Sequence, residues 1–513
     1  MLKKSALTAA VMAVCWAVAV VPASALDLAT FEKNLTEETL DNGLTILIYA
    51  RPTAPVVSFF THVDAGSAQE VPGITGLAHM FEHMAFKGTS RVGTKDYKAE
   101  MKAMEEVDRA YAAYEAERTK IGGPDEAALA ELKQKLEAAK DKAGELVVKN
   151  EFGEIVERAG GVGLNAFTSA DETGYMFSLP ANKVELWAYL ESERFIDPVF
   201  REFYRERDVV QEERRMRTES NPIGRMIEQF LAVAFQAHPY KQPTVGYMSD
   251  LQGFTRQDAH DFRLEHYVPS NMTVAIVGDV NAEKLLPMLR RYFGRIPAGP
   301  APEPLRTQEP KQIAEKVVRI PDPSQPFYVE GYHRPAEFHP DDAVYNAMAD
   351  VLSTGRTSRL YRSLVRDQEI AAQSGAFNGF PGSKYPNLML FFAIPTPEHT
   401  NEEVQAAIRA EIERLKSELV SDEELKKAKT RAKAGLIRAL DSNDGIAGQL
   451  ATYQNRHGDW RELFRSVDKI DKVTKEEIMR VAQATFVPEN RTVAMIVTEA
   501  PEAEAGSNQE GKR

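Results

Sequence analysis

Three residues within five positions could hold and use a metal ion: His79, Glu82 and His83, in the stretch GLAHMFEHMAFKGT. On a helix, positions i and i+4 lie on one face a turn apart, so both imidazoles can grip one ion. Glu82, three residues after His79, falls on the same side and can reach a water held by that ion. Zinc suits such a pair, being borderline-soft, tetrahedral and redox-inert. A catalytic zinc needs a third protein ligand and one open position. The run YRERDVVQEERRM offers Glu206, Glu212 and Glu213 as carboxylate donors. Seven residues is nearly two helical turns, so Glu206 and Glu213 share a face and Glu212 points away. The competing readings are a His-rich amphipathic helix and a solvated charged face.

The elements around these residues predict an α+β fold. The Asn42-Gly43 turn leads into LTILIYA, and VVSFFTHVDAG follows after a Pro-containing break; both read as strands. The His-bearing helix comes next. From Tyr97 to Glu157 the chain is charged and helical. One arm carries Met104, Val107, Tyr111, Tyr114 and Ile121, GGPDE breaks it, and a second arm carries Leu129, Leu132, Leu136, Ala139, Ala143 and Leu146. This spacing predicts an antiparallel helical hairpin, expected to form an external spur. GGVGLNAFTS and TGYMFSLP read as strands, and one long helical region is expected from Asn182 to Met216. Residues 299–312 are Pro-rich and read as a linker. Beyond them the pattern recurs, and NMTVAIVGDV and NRTVAMIVTE are near copies. The expectation is two α+β units of common ancestry. The first spans 36–298, with an insertion at about 97–157. A linker at 299–314 leads to the second at 315–500, and 501–513 form a disordered tail. Only the first unit has His-x-x-Glu-His, so any metal belongs to it.

Lys3 and Lys4, an apolar run from Ala6 to Val21 and Ala23-Ser24-Ala25 describe a cleavable leader over residues 1–25, hence a periplasmic protein. The run is short for a membrane span, so no stable membrane insertion is expected. Cys15, the only cysteine, lies in that leader, which leaves a mature chain without disulfides or thiol ligands. Losing the two lysines takes the formal charge from -13 to -15. That balance argues against nucleic acid or anionic membrane partners and is compatible with basic peptides.

HMFEHMAFKGT, GLNAFTS, ERDVVQEE, HPYKQPTVG and YVPSNMTVAIVGDV, in that order, resemble the landmarks of the pitrilysin/insulinase (M16) family of inverted-motif zinc peptidases. The resemblance runs over nearly the whole mature chain. It implies two homologous M16-type α/β-sandwich domains and one zinc ion held by His79, His83 and Glu213. It assigns Glu82 as general base and Glu206 as the carboxylate that orients a histidine ligand. It places Asn165 and Ala166 on the strand that pairs with substrate. The family also holds substrate with an Arg and a Tyr seven residues later; here these positions are Arg366 and Gln373. Between His83 and Glu213 lie 129 residues, roughly fifty more than usual, a surplus assigned to the hairpin. Two domains form half of the chamber seen in long family members, so a homodimer or a heterodimer with a second M16-like chain is expected. The implied function is a zinc endopeptidase acting on peptides or unfolded polypeptides. The alternatives are a non-catalytic subunit of the same fold or a peptide-binding partner.

Overall fold

Alternate residues of a strand face opposite sides of a sheet, and in this chain both sides are apolar. In β2 (Thr45–Ala50), Ile46 and Ile48 enter one core while Leu47 and Tyr49 enter another. A sheet built from such strands must be covered on both faces. The computed structural model describes residues 28–498; the expected leader (1–25) and tail (501–513) lie outside them.

The first sheet contains β1 (Leu35–Thr39), β2, β3 (Val56–Val63), β4 (Val162–Thr168), β5 (Thr173–Pro180) and β6 (Met272–Gly278). The second contains β7 (Lys316–Asp322), β8 (Phe327–Arg334), β9 (Ala371–Phe380), β10 (Asn387–Pro395) and β11 (Arg491–Thr498). Their spatial orders are β1-β2-β6-β3-β5-β4 and β7-β11-β8-β10-β9. Apart from β1 the two are the same permutation, each with one parallel pair, β2 with β6 and β7 with β11. The near-copy strands β6 and β11 occupy the same place in each sheet, so the internal repeat is present in the topology.

Each unit lends a helix to the other. The helix Pro222–Ala234 of the first unit packs on β7 and β11, burying Met226, Phe230 and Leu231 against Leu388, Leu390 and Ile496. The helix Asn443–His457 of the second packs on β3 and β6, burying Ile446 and Leu450 against Phe60 and Val277. Polar side chains close the seam. Arg456 spans Glu172, at 3.0 Å, and Glu337, at 3.2 Å. Asp171 accepts the hydroxyl of Tyr240 and the amides of Ser383 and Lys384. The Pro-rich stretch is tied down too: the carboxylate of Glu309 accepts the amides of Gln236, Ala237 and His238.

Two expectations need correction. The long helical region is two helices, Val184–Ile196 and Phe203–Arg214, parted at Asp197-Pro198, with Glu202 in the left-handed region at φ 55°. Proline cannot supply the amide a continuous helix needs there. The hairpin forms, as Tyr97–Arg118 against Glu126–Gly144, but its base is not external. Val107, Tyr111 and Leu136 are buried in the first unit's core, and the Tyr111 ring sits 4.4 Å from that of Tyr204. Only the tip projects. The first arm stops at Arg118, leaving Ile121 fully exposed in the turn.

Candidate functional site

The helix Leu77–Met84 is short, and its start is fixed from several directions. Oε2 and Oε1 of the buried Glu70 accept the amides of Gly76 and Ala78, each at 2.7 Å, meeting donors that the first turn leaves free. Asp250 accepts the amides of Gly73 and Thr75 and the Thr75 hydroxyl. Gly76 lies at φ +91°, and a Cβ there would come within 2.5 Å of the Val245 carbonyl oxygen. Gly246 answers it across the contact: a Cβ there would lie 2.2 Å from the Thr75 carbonyl oxygen.

His79 and His83 leave this helix on one face, with ring centroids 4.9 Å apart. Glu213, from Phe203–Arg214, meets both: Oε1 is 3.7 Å from Nε2 of His79, and Oε2 is 3.7 Å from Nε2 of His83. The three donor atoms lie within 4.8 Å of one another. Zinc bonds of about 2.0–2.2 Å in a tetrahedron hold donor atoms roughly 3.3–3.6 Å apart, close to the 3.7 Å that separates Glu213 from each imidazole. The donor set, two imidazoles and a carboxylate, fits zinc chemically. Burial lowers His79 to about 3, which keeps its ring neutral, the state a ligand needs.

Glu206 shares the face of Glu213, and its Oε2 lies 3.4 Å from Nδ1 of His83. Burial would lower His83, but the hydrogen bond and charge of Glu206, with Glu213 and Glu82, raise it instead. Burial would raise Glu206, but His83 and the Lys87 ammonium hold it below the usual carboxylate range. Lys87 contacts Glu206 and reaches Glu202 at 3.2 Å. Arg217 sits 2.8 Å from Glu213. Burial raises the carboxyl of Glu82, opposed by a 2.6 Å hydrogen bond from Thr168.

Glu82 and His83 open into a cleft of about 420 Å³, whose walls include Phe86, Leu164, Asn165 and Ala166. Asn150 and Glu202 also line it, both non-glycine residues with left-handed backbone. Strain of this kind concentrates where a site is held in shape from outside. β4 is an edge strand with one open side, along which an extended peptide can hydrogen-bond. Asn165 faces outward there.

His79, His83, Glu213, Glu82 and Glu206 are thus brought together, with Asn165 and Ala166 beside them. Arg366 and Gln373 do not line the cleft. Arg366 is exposed and pairs with Asp367 at 2.6 Å, and Gln373 is exposed on β9. Four contributors had no expectation attached: Glu70, Asp250, Lys87 and Thr168. A lone acid ahead of a helix start is the only trace Glu70 leaves in the sequence.

Comparison with known proteins agrees with this geometry. Residues 45–119 and 144–247 match the family Insulinase (Peptidase family M16), and 253–432 match the Peptidase M16 inactive domain. The interruption, residues 120–143, takes in the turn of the hairpin and nearly all of its second arm. Zinc protease PqqE of Helicobacter pylori is 30% identical over 425 residues, covering 81% of this chain and 82% of that protein. The mitochondrial-processing peptidase subunit beta of Saccharomyces cerevisiae is 24% identical, covering 89% of each. The crystal structure of a protease from Helicobacter pylori superposes with a TM-score of 0.75 at 27% identity, covering 90% of this chain and 99% of that one. The second unit's helix Asp342–Ser353 carries no histidine, in keeping with its match to the inactive domain.

Proposed function

The chain belongs to the M16 (insulinase) family of peptidases, and on that premise we propose that it is a zinc-dependent endopeptidase acting on peptides or unfolded polypeptides. The observation that carries the reading is the convergence of His79, His83 and Glu213 beside Glu82 at one open cleft. His79, His83 and Glu213 hold one zinc ion, and Glu206 fixes the ring of His83 through Nδ1. When bound, zinc acidifies a water and polarises the scissile carbonyl. Glu82 is the group placed to take a proton from an attacking water and to return it to the leaving amine, a task suited to a carboxyl raised by burial. The open edge of β4 at Asn165 and Ala166 aligns the peptide.

A second chain completes the chamber, a copy of this one or an M16-like partner. Arg366 and Gln373 stand outside the cleft of their own chain, and one relative is by name a subunit; both support this arrangement. The basic, apolar start of the sequence supports export to the periplasm. Among the described residues no helix is long and apolar enough to cross a membrane.

The test is Glu82→Gln, assayed for zinc content and for cleavage of an unfolded polypeptide. Zinc stays near one per chain and turnover falls by about 10²- to 10⁴-fold or more. Undiminished cleavage by that variant removes Glu82 as the base.

A further inference from the structure

The hydroxyl of Thr168 donates a 2.6 Å hydrogen bond to Oε2 of Glu82. Among the described residues it is the one hydrogen-bond partner of that carboxylate. Thr168 is the last residue of β4 and sits opposite Thr173 of β5. Side chains alternate along a strand. Thr168 therefore shares a face with Ala166 and Leu164, which pack against the first unit's core, while Asn165 and Phe167 are exposed on the other face. The strand whose free edge can receive a peptide is thus the strand whose hydroxyl grips Glu82. A glutamate carboxylate sits at the end of several rotatable bonds. One hydrogen bond to a charged acceptor is enough to select among its rotamers.

Resting on the reading of Glu82 as general base, we infer that Thr168 is a positioning residue that ties Glu82 to the peptide-docking strand, so that the strand receiving the substrate also aims the base. A peptide paired along β4 adds hydrogen bonds to an edge that has no strand partner on that side among the described residues, which stiffens the strand. That stiffening reaches the carboxylate through the Thr168 hydroxyl. The hydroxyl gives its hydrogen bond to Glu82 and to none of His79, His83 and Glu213, so zinc content is expected to survive its loss. Peptide affinity rests on the backbone of β4, which a side-chain change leaves in place.

The experiment is Thr168→Val, which keeps the shape and strand preference and removes the hydroxyl. With the full-length zinc enzyme and a long peptide, kcat falls about 10- to 100-fold, the size expected for losing one hydrogen bond to a charged group. KM and zinc content stay at wild-type values. Thr168→Ser restores kcat, and Thr168→Ala, a smaller change, reproduces the loss. In a Glu82→Gln background, Thr168→Val has no further effect. An unchanged kcat, a change confined to KM, loss of zinc, or failure of Thr168→Ser to rescue overturns the inference. If Glu82→Gln alone is active, the general-base reading falls. If Glu82→Gln is inactive and Thr168→Val is fully active, only the role of Thr168 falls.

Discussion

Glu70→Gln tests how the helix Leu77–Met84, which carries the candidate metal ligands, is held. Burial pushes the Glu70 carboxyl up to about 8, although the amides of Ala78 and Gly76 pull it down. An acid whose folded pKa lies above its unfolded value of 4.5 binds its proton more tightly when folded. Its contribution to stability is therefore complete below pH 4.5 and is lost as pH rises toward about 8. Over that window of about 3.5 units, at about 1.4 kcal/mol per unit, the wild type loses on the order of 5 kcal/mol from this group. Glutamine does not titrate, so the variant lacks this slope. It also sets an amide N–H2 against one of the two backbone N–H groups, which costs about 1–3 kcal/mol. In metal-free urea unfolding, the variant is less stable than the wild type at pH 5. The gap closes by several kcal/mol, or reverses, at pH 8. A gap that stays constant between pH 5 and pH 8 refutes the account of Glu70.

Glu213→Gln removes the carboxylate common to both histidines. Zinc content falls well below one per chain, and the variant loses the metal-dependent rise in Tm, which for the wild type at a thousandfold excess over Kd corresponds to about 4 kcal/mol. Arg456→Met takes the guanidinium from Glu172, which keeps His62, and from the half-buried Glu337, which keeps the Ser383 hydroxyl. It costs about 1.5–3 kcal/mol in urea unfolding, with the loss shared by both units because Arg456 sits on their seam. Gly246→Ala drives a Cβ into the Thr75 carbonyl at φ +84°; a stability loss of about 1–3 kcal/mol and weaker zinc binding, read by competition with a chelating dye, are expected.

The site was legible where its spacing is local. His79, Glu82 and His83 lie within about a turn of helix, and Glu206 and Glu213 share a face at nearly two turns. Helical geometry alone brings out each set. Glu70 was not legible, because a single acid before a helix start looks like any charged loop residue until burial gives it two amides to hold. The break at Asp197-Pro198 carried a readable signal in Pro198 that the apolar pattern on either side masked. In the hairpin, three- and four-residue spacing told that the arms pair. It could not tell that Tyr111 also packs against the tilted ring of Tyr204 and takes Arg207 over its own, because one apolar stripe can serve two neighbours. The lent helices were hidden for the same reason. Periodicity shows that Pro222–Ala234 has an apolar face, not which sheet that face covers.

The lent helices also set the order in which the molecule can be finished. The face of the first sheet that carries Leu47, Tyr49, Phe60 and Val277 is covered by Ile446 and Leu450, separated from it by hundreds of residues. Closing so long a loop is slow, and the uncovered face is apolar until it closes. A chain emerging from its N-terminus therefore leaves that face of its first sheet uncovered until Asn443–His457 has been made. On the proposed reading as an exported peptidase, the half that carries the candidate site keeps this apolar face uncovered until the rest of the chain has followed.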